Sequence, residues 1–475
     1  MASEMVLIAQ AVPASPRTAA VVAPPAAAHP PAVLVRGGGR LGGRVRVAGH
    51  KHSMVVVFAA TLALGVRATL TGVPAVTERD VLLEQLELLG CTWSIDGDEV
   101  VLDATAARPV ALSARLTRQI HGSLYLLPAM LARFGEVEFP GAGGDHLGDF
   151  ELGQGRPFLH LLEMLERFGC RFEVSADGSV HGRRDRHVAA DVELLDWSDD
   201  PHAIVGSRMS SATKAALLLA AATGATSRLR HPLLLWSTHD LMSFLTAAGV
   251  GVVPDADGGA VTVHGRGRAG GEAAGRLSPD VLETVTWAAC AAATASTVEI
   301  GTDAPDRLRR LMHHELAALT RLGVQHHWDG NGLTVTGDPR TLRPADLVSR
   351  NATLSTDALP LYTAVMMRAP GRSSVSDLVW PGRYAYAEHL DRVGVPTVTT
   401  RAGLTVVGGT ELRPARTPLT PADTRSGAVA LIAALAAPEH TEVRGLAHVH
   451  RGYADMLGKL AALGAELTPC PVPAR

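Results

Sequence analysis

The residues best suited to chemistry in this 475-residue sequence are one aspartate and three arginines in its C-terminal part. Asp357, Arg383, Arg425 and Arg451 stand near predicted helix starts, in LSTDALPLYTAV, WPGRYAYAEHL, ADTRSGAVALIAAL and HVHRGYADMLGKLAAL. An aspartate at such a place is most often a helix cap, whereas an arginine is less expected there. Three guanidinium groups that converge on one point predict a polyanionic substrate bearing phosphate or carboxylate groups.

A lysine at the start of an apolar helix is a second candidate for anion binding. The sequence has three lysines, Lys51, Lys214 and Lys459, among its 44 basic residues. Lys51 follows the strand-like segment RVRVAG and precedes the apolar run MVVVFAATLALG. The free backbone N–H groups of a helix start bind anions, so a cation beside them favours an anionic ligand over a merely solvated lysine.

The glycine-rich segment PGAGGDHLGDFELGQGRP, residues 140–157, lies between two apolar stretches. Its glycines and acidic residues are typical of a mobile lid over an active site. They are equally typical of an ordinary surface loop, so the composition leaves both interpretations open.

Two kinds of motif that suggest a cofactor or a metal do not fit their context. Residues 36–43, RGGGRLGG, contain GxGxxG, but a strand-like segment follows where a dinucleotide-binding fold requires a helix. Three histidine pairs lack a carboxylate or cysteine partner at zinc-site spacing, namely His313/His314, His326/His327 and His448/His450. The sequence therefore predicts neither a cofactor nor a metal.

Composition argues against several classes of function. A net charge of −3 and an aromatic content of 4% give no reason to expect nucleic acid or an anionic membrane as a partner. The four cysteines are too scattered for a disulfide framework. No run of 18 apolar residues is free of polar breaks, which argues against a transmembrane helix. The Ala/Pro-rich residues 1–32 predict a disordered tail without a secretory signal, so we expect a cytoplasmic protein.

The elements that must position the candidate residues repeat along the chain. A Leu-x-x-x-Gly pattern before a strand-like stretch occurs six times, ending at Gly90, Gly169, Gly249, Gly323, Gly394 and Gly464. The intervals of 79, 80, 74, 71 and 70 residues are nearly even. Each glycine suits the left-handed conformation that ends a helix. The sequence thus predicts six duplicated α/β units of helix, strand, helix and strand.

Several of these segments resemble the enolpyruvyl transferases. The matching motifs are GHKH at Lys51, LARFGEVEFPGAGG before the glycine-rich loop, GRP at Arg156, PDVLET at Asp280, STDA at Asp357, GRY at Arg383, TRSGA at Arg425 and HRGYADMLGKLAALGAEL at Arg451. The 26-residue intervals from Asp357 to Arg383 and from Arg425 to Arg451 are also similar to those of the family. The UDP-N-acetylglucosamine enolpyruvyl transferases resemble the chain more closely than their shikimate-pathway relatives do.

The resemblance implies an α/β (α+β) fold with two domains, an inside-out α/β barrel built from six βαβαββ-type repeats. Domain I would comprise residues 33–50 and 278–475, with three repeats. Domain II would comprise residues 51–277, with the other three repeats and the catalytic loop 140–157. The family's active site lies in the cleft between two such domains.

The resemblance also implies a reaction, the transfer of the enolpyruvyl group of phosphoenolpyruvate to an acceptor hydroxyl with release of phosphate and without a metal. Lys51 and Arg156 would hold the phosphate of phosphoenolpyruvate. Arg383 and Arg451, with Arg425 nearby, would hold its carboxylate, and we call these three residues the carboxylate clamp.

Proton transfer in the family requires a base and a loop acid. By resemblance, Asp357 would take the proton of the acceptor hydroxyl, and a loop residue would protonate the methylene carbon. The family usually has a cysteine in the loop, whereas this sequence has Asp145 there. An aspartate serves as an acid only if its surroundings raise its pKa. Because the loop carries extra residues, Asp149 and Glu151 stay alternatives.

Other departures from the family lie at binding positions. The asparagine that follows the lysine is His52, and an arginine that helps to bind phosphate aligns with His121. Arg118 precedes His121 by one helical turn and is a candidate substitute for that arginine. The arginine beside the PD motif is Val281, and the loop has an insertion at 149–155.

These departures lie at positions that contact the acceptor, whereas the base and the carboxylate clamp are intact. We interpret the pattern as retained chemistry with a different acceptor. By analogy with transferases of nucleoside-antibiotic pathways, the best candidate is a ribose hydroxyl of UMP. Two alternatives stay open, the peptidoglycan enzyme acting on UDP-N-acetylglucosamine and a non-catalytic binding paralogue. The expected partners are phosphoenolpyruvate and a nucleotide, and the oligomeric state is left open.

Overall fold

The computed structural model describes residues 30–145, 147, 158–186, 188–267, 269–351 and 353–471. Within these ranges the strands form six small sheets, four with four strands and two with three. Each four-stranded sheet has three antiparallel strands and a fourth strand that pairs in parallel at one edge. The predicted mixed α/β character is confirmed, and the inside-out barrel of six repeats stays a prediction.

Three of the sheets come from residues 67–276. In spatial order their strands are Glu272–Arg276, Arg67–Thr71, Glu99–Asp103 and Thr92–Asp96; Glu136–Phe139, Val180–Arg184 and Cys170–Val174; and Gly251–Pro254, Ala260–His264, Thr226–Arg230 and Asp191–Glu193. The strands of the other three sheets are Gln325–Asp329, Gly332–Thr336, Thr297–Gly301 and Gly42–Arg46; Asp346–Ser349, Gly371–Asp377, Leu404–Gly408 and Thr397–Thr399; and His440–Arg444, Ala32–Arg36 and Glu466–Cys470.

The six repeat glycines end helices, as the sequence predicts. Their φ angles lie between 76° and 95°, in the left-handed region that favours glycine. Each follows a helix and precedes a strand of one of the six sheets. The glycine-rich residues 36–43 connect strand Ala32–Arg36 to strand Gly42–Arg46, so the helix that a dinucleotide-binding motif requires is not there.

Six helices are buried on nearly all sides because their sequences are apolar all round. Lys51–Leu64, Leu126–Phe134 and Arg208–Ala222 pack against one another, and so do Val281–Ala293, Leu359–Met366 and Thr424–Ala436. We call these six the central helices. Alanine is frequent in them, which favours helix formation and lets neighbouring helices pack closely.

Shorter or amphipathic helices account for the other helical segments of the described ranges. The α-helices are Thr77–Leu88, Ala114–Thr117, Leu159–Glu166, Trp236–Ala247, Pro305–Leu311, His313–Arg321, Ala387–Arg392, Ala447–His450 and Met456–Ala462. The 3₁₀ helices are His121–Tyr125, Leu194–Trp197 and Thr356–Ala358. None of the described helices has the length and apolar character needed to cross a membrane.

Buried apolar side chains form two clusters. The first core takes its residues from 54–277, and the second core takes them from 33–47 and 281–463. The chain passes between the two cores near Gly49 and Pro279, which form an isolated β-bridge. The boundaries given above for domains I and II stay a prediction.

Gly49 allows a close backbone approach at this crossing. A Cβ atom at Gly49 would lie 1.7 Å from the carbonyl oxygen of Gly72. Because that atom belongs to the backbone, relief requires the chain to shift. We expect Gly49→Ala to lower the free energy of unfolding by about 1–3 kcal/mol, measured by urea denaturation.

Gly39→Ala is the matched control. A Cβ atom at Gly39 meets nothing within 4 Å, so the expected change in stability is about 0.5 kcal/mol or less. Equal stabilities of the two variants would contradict the close approach at Gly49.

Candidate active site

A cleft between the two cores is lined by residues at the N-terminal ends of central helices. Its described lining includes Lys51, His121 and Lys214 from the first core's part of the chain, and Asp357, Arg383 and Arg425 from the second's. The unpaired N–H groups of a helix start carry partial positive charge. A cleft with several helix starts and several cationic side chains is therefore suited to a ligand with more than one anionic group.

Asp357 lies in the 3₁₀ helix Thr356–Ala358, directly before central helix Leu359–Met366. It does not occupy the N-cap position of either element. Its Oδ1 accepts a hydrogen bond from Nη1 of Arg383 at 2.6 Å, and its Oδ2 lies 3.5 Å from Nε of Arg425. Burial raises the pKa of the Asp357 carboxyl, but the two guanidinium groups outweigh it and hold that pKa well below its usual range. Asp357 is therefore an ionised, cation-paired carboxylate, not the helix cap that its position also suggests.

The clamp arginines retain unused hydrogen-bonding capacity. Arg425 stands in the first turn of Thr424–Ala436, with its guanidinium 5.0 Å from the Tyr453 ring centre. Nε of Arg383, Nη1 of Arg425 and Nε of Arg451 are buried without a hydrogen-bond partner among the described residues. Leaving such a group unpaired away from water costs about 1–3 kcal/mol, and more when it is charged. Three such groups indicate that the cleft is completed by an anionic ligand.

Asp145 is bound to the same cationic region from the first core's side. Its Oδ1 accepts from Nη1 of Arg451 at 2.6 Å and lies 3.0 Å from Nδ1 of His448. Its Oδ2 lies 3.4 Å from the backbone nitrogen of Thr424, the first residue of a central helix. Burial raises the pKa of the Asp145 carboxyl. The His448 hydrogen bond and the Arg451 charge outweigh burial and hold that pKa well below its usual value. In this arrangement Asp145 is an ionised carboxylate.

Lys51 begins the central helix Lys51–Leu64, whose N-cap residue makes no side-chain capping bond. Its Nζ lies 2.7 Å from Oε2 of the buried Glu78. The other oxygen of Glu78 accepts from the backbone N–H of Gly122 at 3.2 Å. Glu78 thus holds the lysine against the segment that contains His121, and both Lys51 and His121 face the cleft.

The histidines beside Lys51 are uncharged. Burial lowers the pKa of His50 to about 3 and lowers the pKa of His52 well below its usual value. Their rings meet edge to face with centres 5.1 Å apart, and the Trp236 ring lies 5.5 Å from His50. His52 therefore offers the cleft a neutral hydrogen-bonding ring at the position where the resemblance noted above leads one to expect an asparagine.

The structure brings most of the predicted site residues together. Those that line the cleft are Lys51, His52, His121, Asp145, Asp357, Arg383, Arg425 and Arg451. Arg118 is exposed and is not among the lining residues; its Nη2 donates to the carbonyl oxygen of Pro140 at 3.4 Å. Arg156, Asp149 and Glu151 lie outside the described residues.

Sequence reasoning missed three residues that hold or extend the site. Glu78 gives no signal in the sequence, because it acquires its role from a contact with another segment. His448 stands out only as one of a histidine pair, and its contact with Asp145 joins two distant segments. Lys214 does give a signal, since it is one of three lysines and interrupts an Ala/Leu-rich helix. Its side chain is buried and lines the cleft, and burial lowers its pKa to about 7.

Known proteins are similar in sequence to this chain over almost its whole length. The model of the family described as EPSP synthase (3-phosphoshikimate 1-carboxyvinyltransferase) matches residues 35–460. UDP-N-acetylglucosamine 1-carboxyvinyltransferase 2 of Listeria monocytogenes is 27% identical over 442 residues, which cover 92% of this chain and 97% of the relative. UDP-N-acetylglucosamine 1-carboxyvinyltransferase 3 of Symbiobacterium thermophilum is 30% identical over 437 residues, 91% of this chain and 96% of the relative.

Solved structures are also similar to this chain over almost its whole length. The enolpyruvyl transferase NikO from Streptomyces tendae superposes with a TM-score of 0.85 and 30% identity, covering 93% of this chain and 99% of NikO. An EPSP synthase from Acinetobacter baumannii shares the fold, with a TM-score of 0.63, 15% identity and coverage of 93% and 100%. The resemblance identified from the sequence is confirmed, and this chain belongs to the EPSP synthase family as an enolpyruvyl transferase.

Proposed function

We propose that this enzyme transfers the enolpyruvyl group of phosphoenolpyruvate to a ribose hydroxyl of UMP and releases phosphate. The observation that carries the proposal is the carboxylate clamp: its three arginines have buried N–H groups without a partner among the described residues, and two of them, Arg383 and Arg425, pair with the ionised Asp357. Phosphoenolpyruvate is a small molecule with a carboxylate and a phosphate. Planar guanidinium groups bind such anions in the bidentate geometry that a carboxylate offers.

The two anionic groups of phosphoenolpyruvate would occupy different parts of the cleft. Its carboxylate fits the clamp, where Arg383, Arg425 and Arg451 each have a free N–H. Its phosphate fits the start of Lys51–Leu64, where Lys51 and uncapped backbone N–H groups meet, and where Arg156 would add a second cation. We infer that the reacting carbon atoms then lie in the part of the cleft that Asp357 and Asp145 both line.

The reaction is an addition followed by an elimination. A proton is added to the methylene carbon, and the acceptor oxygen bonds to the carbon that carries the phosphate while the hydroxyl proton passes to Asp357. The phosphate then leaves with the electron pair of its C–O bond. The methyl carbon returns a proton to the group that supplied it, and this restores the double bond. Positive charge develops on the central carbon in the first step, so an ionised carboxylate nearby stabilises it.

Asp145 must gain a proton before it donates one. The carboxylate of phosphoenolpyruvate competes with Asp145 for Arg451 and for the N–H of Thr424, because both ligands are carboxylates. Once Asp145 has left those donors, burial dominates its surroundings and raises its pKa. We therefore assign Asp145 as the acid that protonates the methylene carbon after phosphoenolpyruvate has entered.

The choice of UMP rests on what the site lacks. Val281 is buried at the start of Val281–Ala293 and His121 faces the cleft, where related enzymes have arginines. Fewer cations on the acceptor side suit an acceptor with fewer phosphates than a UDP-sugar. UDP-N-acetylglucosamine is the second candidate, because relatives up to 30% identical carry its name.

Phosphate release from phosphoenolpyruvate tests the proposal directly. We expect release with UMP, and mass spectrometry should find the enolpyruvyl group on the nucleotide. Phosphate release with UDP-N-acetylglucosamine and not with UMP would show that the acceptor is UDP-N-acetylglucosamine and not UMP. If none of the three acceptors, UMP, UDP-N-acetylglucosamine or 3-phosphoshikimate, leads to phosphate release, the result would contradict enolpyruvyl transfer and favour a binding paralogue.

The clamp arginines should be needed for phosphoenolpyruvate. We expect Arg383→Ala and Arg451→Ala to lower kcat/KM for phosphoenolpyruvate by about 10- to 150-fold, since each removes a charge-assisted contact to a carboxylate. Arg392→Ala is the control, because Arg392 pairs on the surface with Glu388, one helical turn away. If either clamp variant retains the wild-type value, its assignment fails.

Asp357→Asn should separate catalysis from binding. The amide keeps the size of the side chain but is a far weaker base, so kcat should fall by roughly 10²–10⁴-fold. Asp280→Asn is the control, because Asp280 caps Val281–Ala293 through the N–H groups of Leu282 and Glu283, and asparagine caps equally well. Near-normal turnover of a folded Asp357→Asn enzyme would show that the carboxylate only pairs with the arginines.

Asp145→Ala should lower two kinetic parameters, each for its own reason. We expect kcat to fall by roughly 10²–10⁴-fold through loss of the acid. We also expect KM for phosphoenolpyruvate to fall, because no internal carboxylate then competes for Arg451. Steady-state kinetics with UMP held saturating measures both, and an unchanged kcat would exclude Asp145 as the acid.

The same position should determine sensitivity to fosfomycin, which alkylates the loop cysteine of related enzymes. Cys91, Cys170 and Cys290 are buried, and burial raises the pKa of each thiol to about 12. A carboxylate is a much poorer nucleophile than a thiolate. We expect no covalent adduct on the wild-type enzyme by mass spectrometry and an adduct on Asp145→Cys; an adduct on the wild-type loop would contradict the assignment.

A further inference from the structure

His448 is a histidine beside Asp145 to which the proposed reaction assigns no role. It lies in the short helix Ala447–His450 and is not among the described residues that line the cleft. Its Nδ1 lies 3.0 Å from Oδ1 of Asp145. Its backbone carbonyl oxygen accepts a hydrogen bond from Oγ1 of Thr424 at 2.9 Å, which holds this part of the chain beside Asp145. His448 therefore contacts the loop carboxylate and not a substrate.

The chemistry of this contact determines which atom carries the hydrogen. Asp145 is ionised, and an ionised carboxylate only accepts hydrogen bonds. Nδ1 of His448 must therefore carry a hydrogen and donate it. A hydrogen thus already lies between the ring and the oxygen atom that has to be protonated before Asp145 is an acid. Imidazole is suited to such a transfer, because its ordinary titration range includes neutral pH.

The two side chains differ in their access to water. The exposed fraction of the side chain is 34% for His448 and 8% for Asp145. Water therefore exchanges protons more readily with the imidazole ring than with the enclosed carboxylate. A substrate bound in the cleft covers Asp145 further, but it leaves the ring accessible, because His448 does not line the cleft.

Two cations decide where the shared proton resides in the empty site. The charges of Arg451 and Lys51 both favour the ionised form of Asp145, so the proton stays on His448. In the proposed function, phosphoenolpyruvate brings a carboxylate to Arg451 and a phosphate to Lys51. Both cations are then neutralised by the substrate, whereas the contact between Asp145 and His448 needs no change. The balance shifts towards a neutral carboxyl group and a neutral ring.

We propose that His448 is a proton store for Asp145, which it protonates when phosphoenolpyruvate binds and from which it recovers the proton when the product leaves. In the transfer, the N–H bond at Nδ1 breaks and an O–H bond forms on Asp145. The ring begins with a hydrogen on both nitrogen atoms and ends neutral, with the hydrogen on Nε2. Asp145 then gives its proton to the methylene carbon and regains it from the methyl carbon, so one stored proton serves a whole turnover.

This inference rests on the proposed function, because it requires Asp145 to be the acid. It adds the source of the proton that Asp145 gains. His448 acts through Asp145, so its test needs measurements that a merely structural role would not change. His448→Asn is the most informative variant, because the asparagine amide places an N–H group close to the position of Nδ1 and has no proton to transfer.

The protons taken up during binding can be counted without any acceptor. Calorimetric titration with phosphoenolpyruvate alone, in two buffers of different ionisation enthalpy, gives the net proton uptake. The wild-type enzyme protonates Asp145 from its own store, whereas His448→Asn must draw that proton from the solvent. We expect the variant to take up about one proton more per phosphoenolpyruvate than the wild type. Protons bound by the ligand itself are common to both titrations and cancel in the difference.

Steady-state kinetics gives a second measurement. We expect His448→Asn to lower kcat by about 10- to 100-fold at roughly pH 7 and to leave KM for phosphoenolpyruvate within about threefold. The deficit should shrink as the pH falls towards about 5.5, because solvent protons then reach Asp145 without the store. A structural defect would persist at every pH. His440→Asn is the matched control, because His440 is exposed at the start of strand His440–Arg444, and its kcat should stay within about twofold.

Two further variants test whether the effect passes through Asp145. In the Asp145→Ala background, His448→Asn should change kcat by less than about twofold, because the store then has nothing to protonate. In His448→Ala, free imidazole should raise kcat at least about threefold, since the side chain it replaces is partly exposed to water. This rescue decides the matter if His448→Asn does not fold.

The outcomes separate the proton store from the proposed reaction. Equal proton uptake by the wild type and His448→Asn, wild-type kcat in that variant, or a further loss in the Asp145→Ala background would overturn the store even if the enzyme transfers the enolpyruvyl group. One additional proton taken up by His448→Asn, without phosphate release from the wild type with any acceptor, would support the store and overturn the transfer.

Discussion

Pairing of charges away from water is the constraint on which this site depends. The cleft holds several cations at positions where water is largely excluded, and an unpaired charge there is costly. Carboxylates of the protein therefore compensate them, in the pairs Lys51–Glu78, Arg383–Asp357 and Arg451–Asp145. In the proposed function, substrate anions bind in two ways, by pairing with N–H groups that have no partner or by replacing an internal carboxylate. Each residue assigned to proton transfer is thus also part of a charge balance that the substrate alters.

The central helices differ in whether a side chain caps the backbone N–H groups at their N-terminal ends. Val281–Ala293 and Thr424–Ala436 are capped by Asp280 and Asp423, whose carboxylates accept backbone N–H groups. Lys51–Leu64 and Arg208–Ala222 have no side-chain cap. Their free N–H groups remain available to anions. The second core's part of the chain instead contributes its guanidinium groups, which suit a planar carboxylate.

Much of this arrangement was predictable from the sequence because it is local. The repeat glycines require a left-handed backbone conformation, and candidate residues such as Lys51 and Arg425 lie next to apolar segments that become central helices. Pairing across the cleft was not predictable, since Asp145 and Arg451 are separated by 306 residues. For the same reason the sequence left a helix cap open for Asp357, and it did not reveal that Arg118, three residues before His121, donates to the carbonyl oxygen of Pro140.

The same charge balance is compatible with an aspartate at the position where the family resemblance leads one to expect a cysteine. A cysteine thiol with its ordinary pKa is neutral at pH 7 and would leave Arg451 uncompensated in the empty cleft. Asp145 is ionised there and supplies the missing charge, with His448 completing its hydrogen bonds. In the proposed reaction phosphoenolpyruvate takes over that compensation, and the displaced carboxyl group, still enclosed, becomes a better acid. In that proposal one side chain stabilises the empty site and becomes a proton donor only when the molecule to be protonated is present.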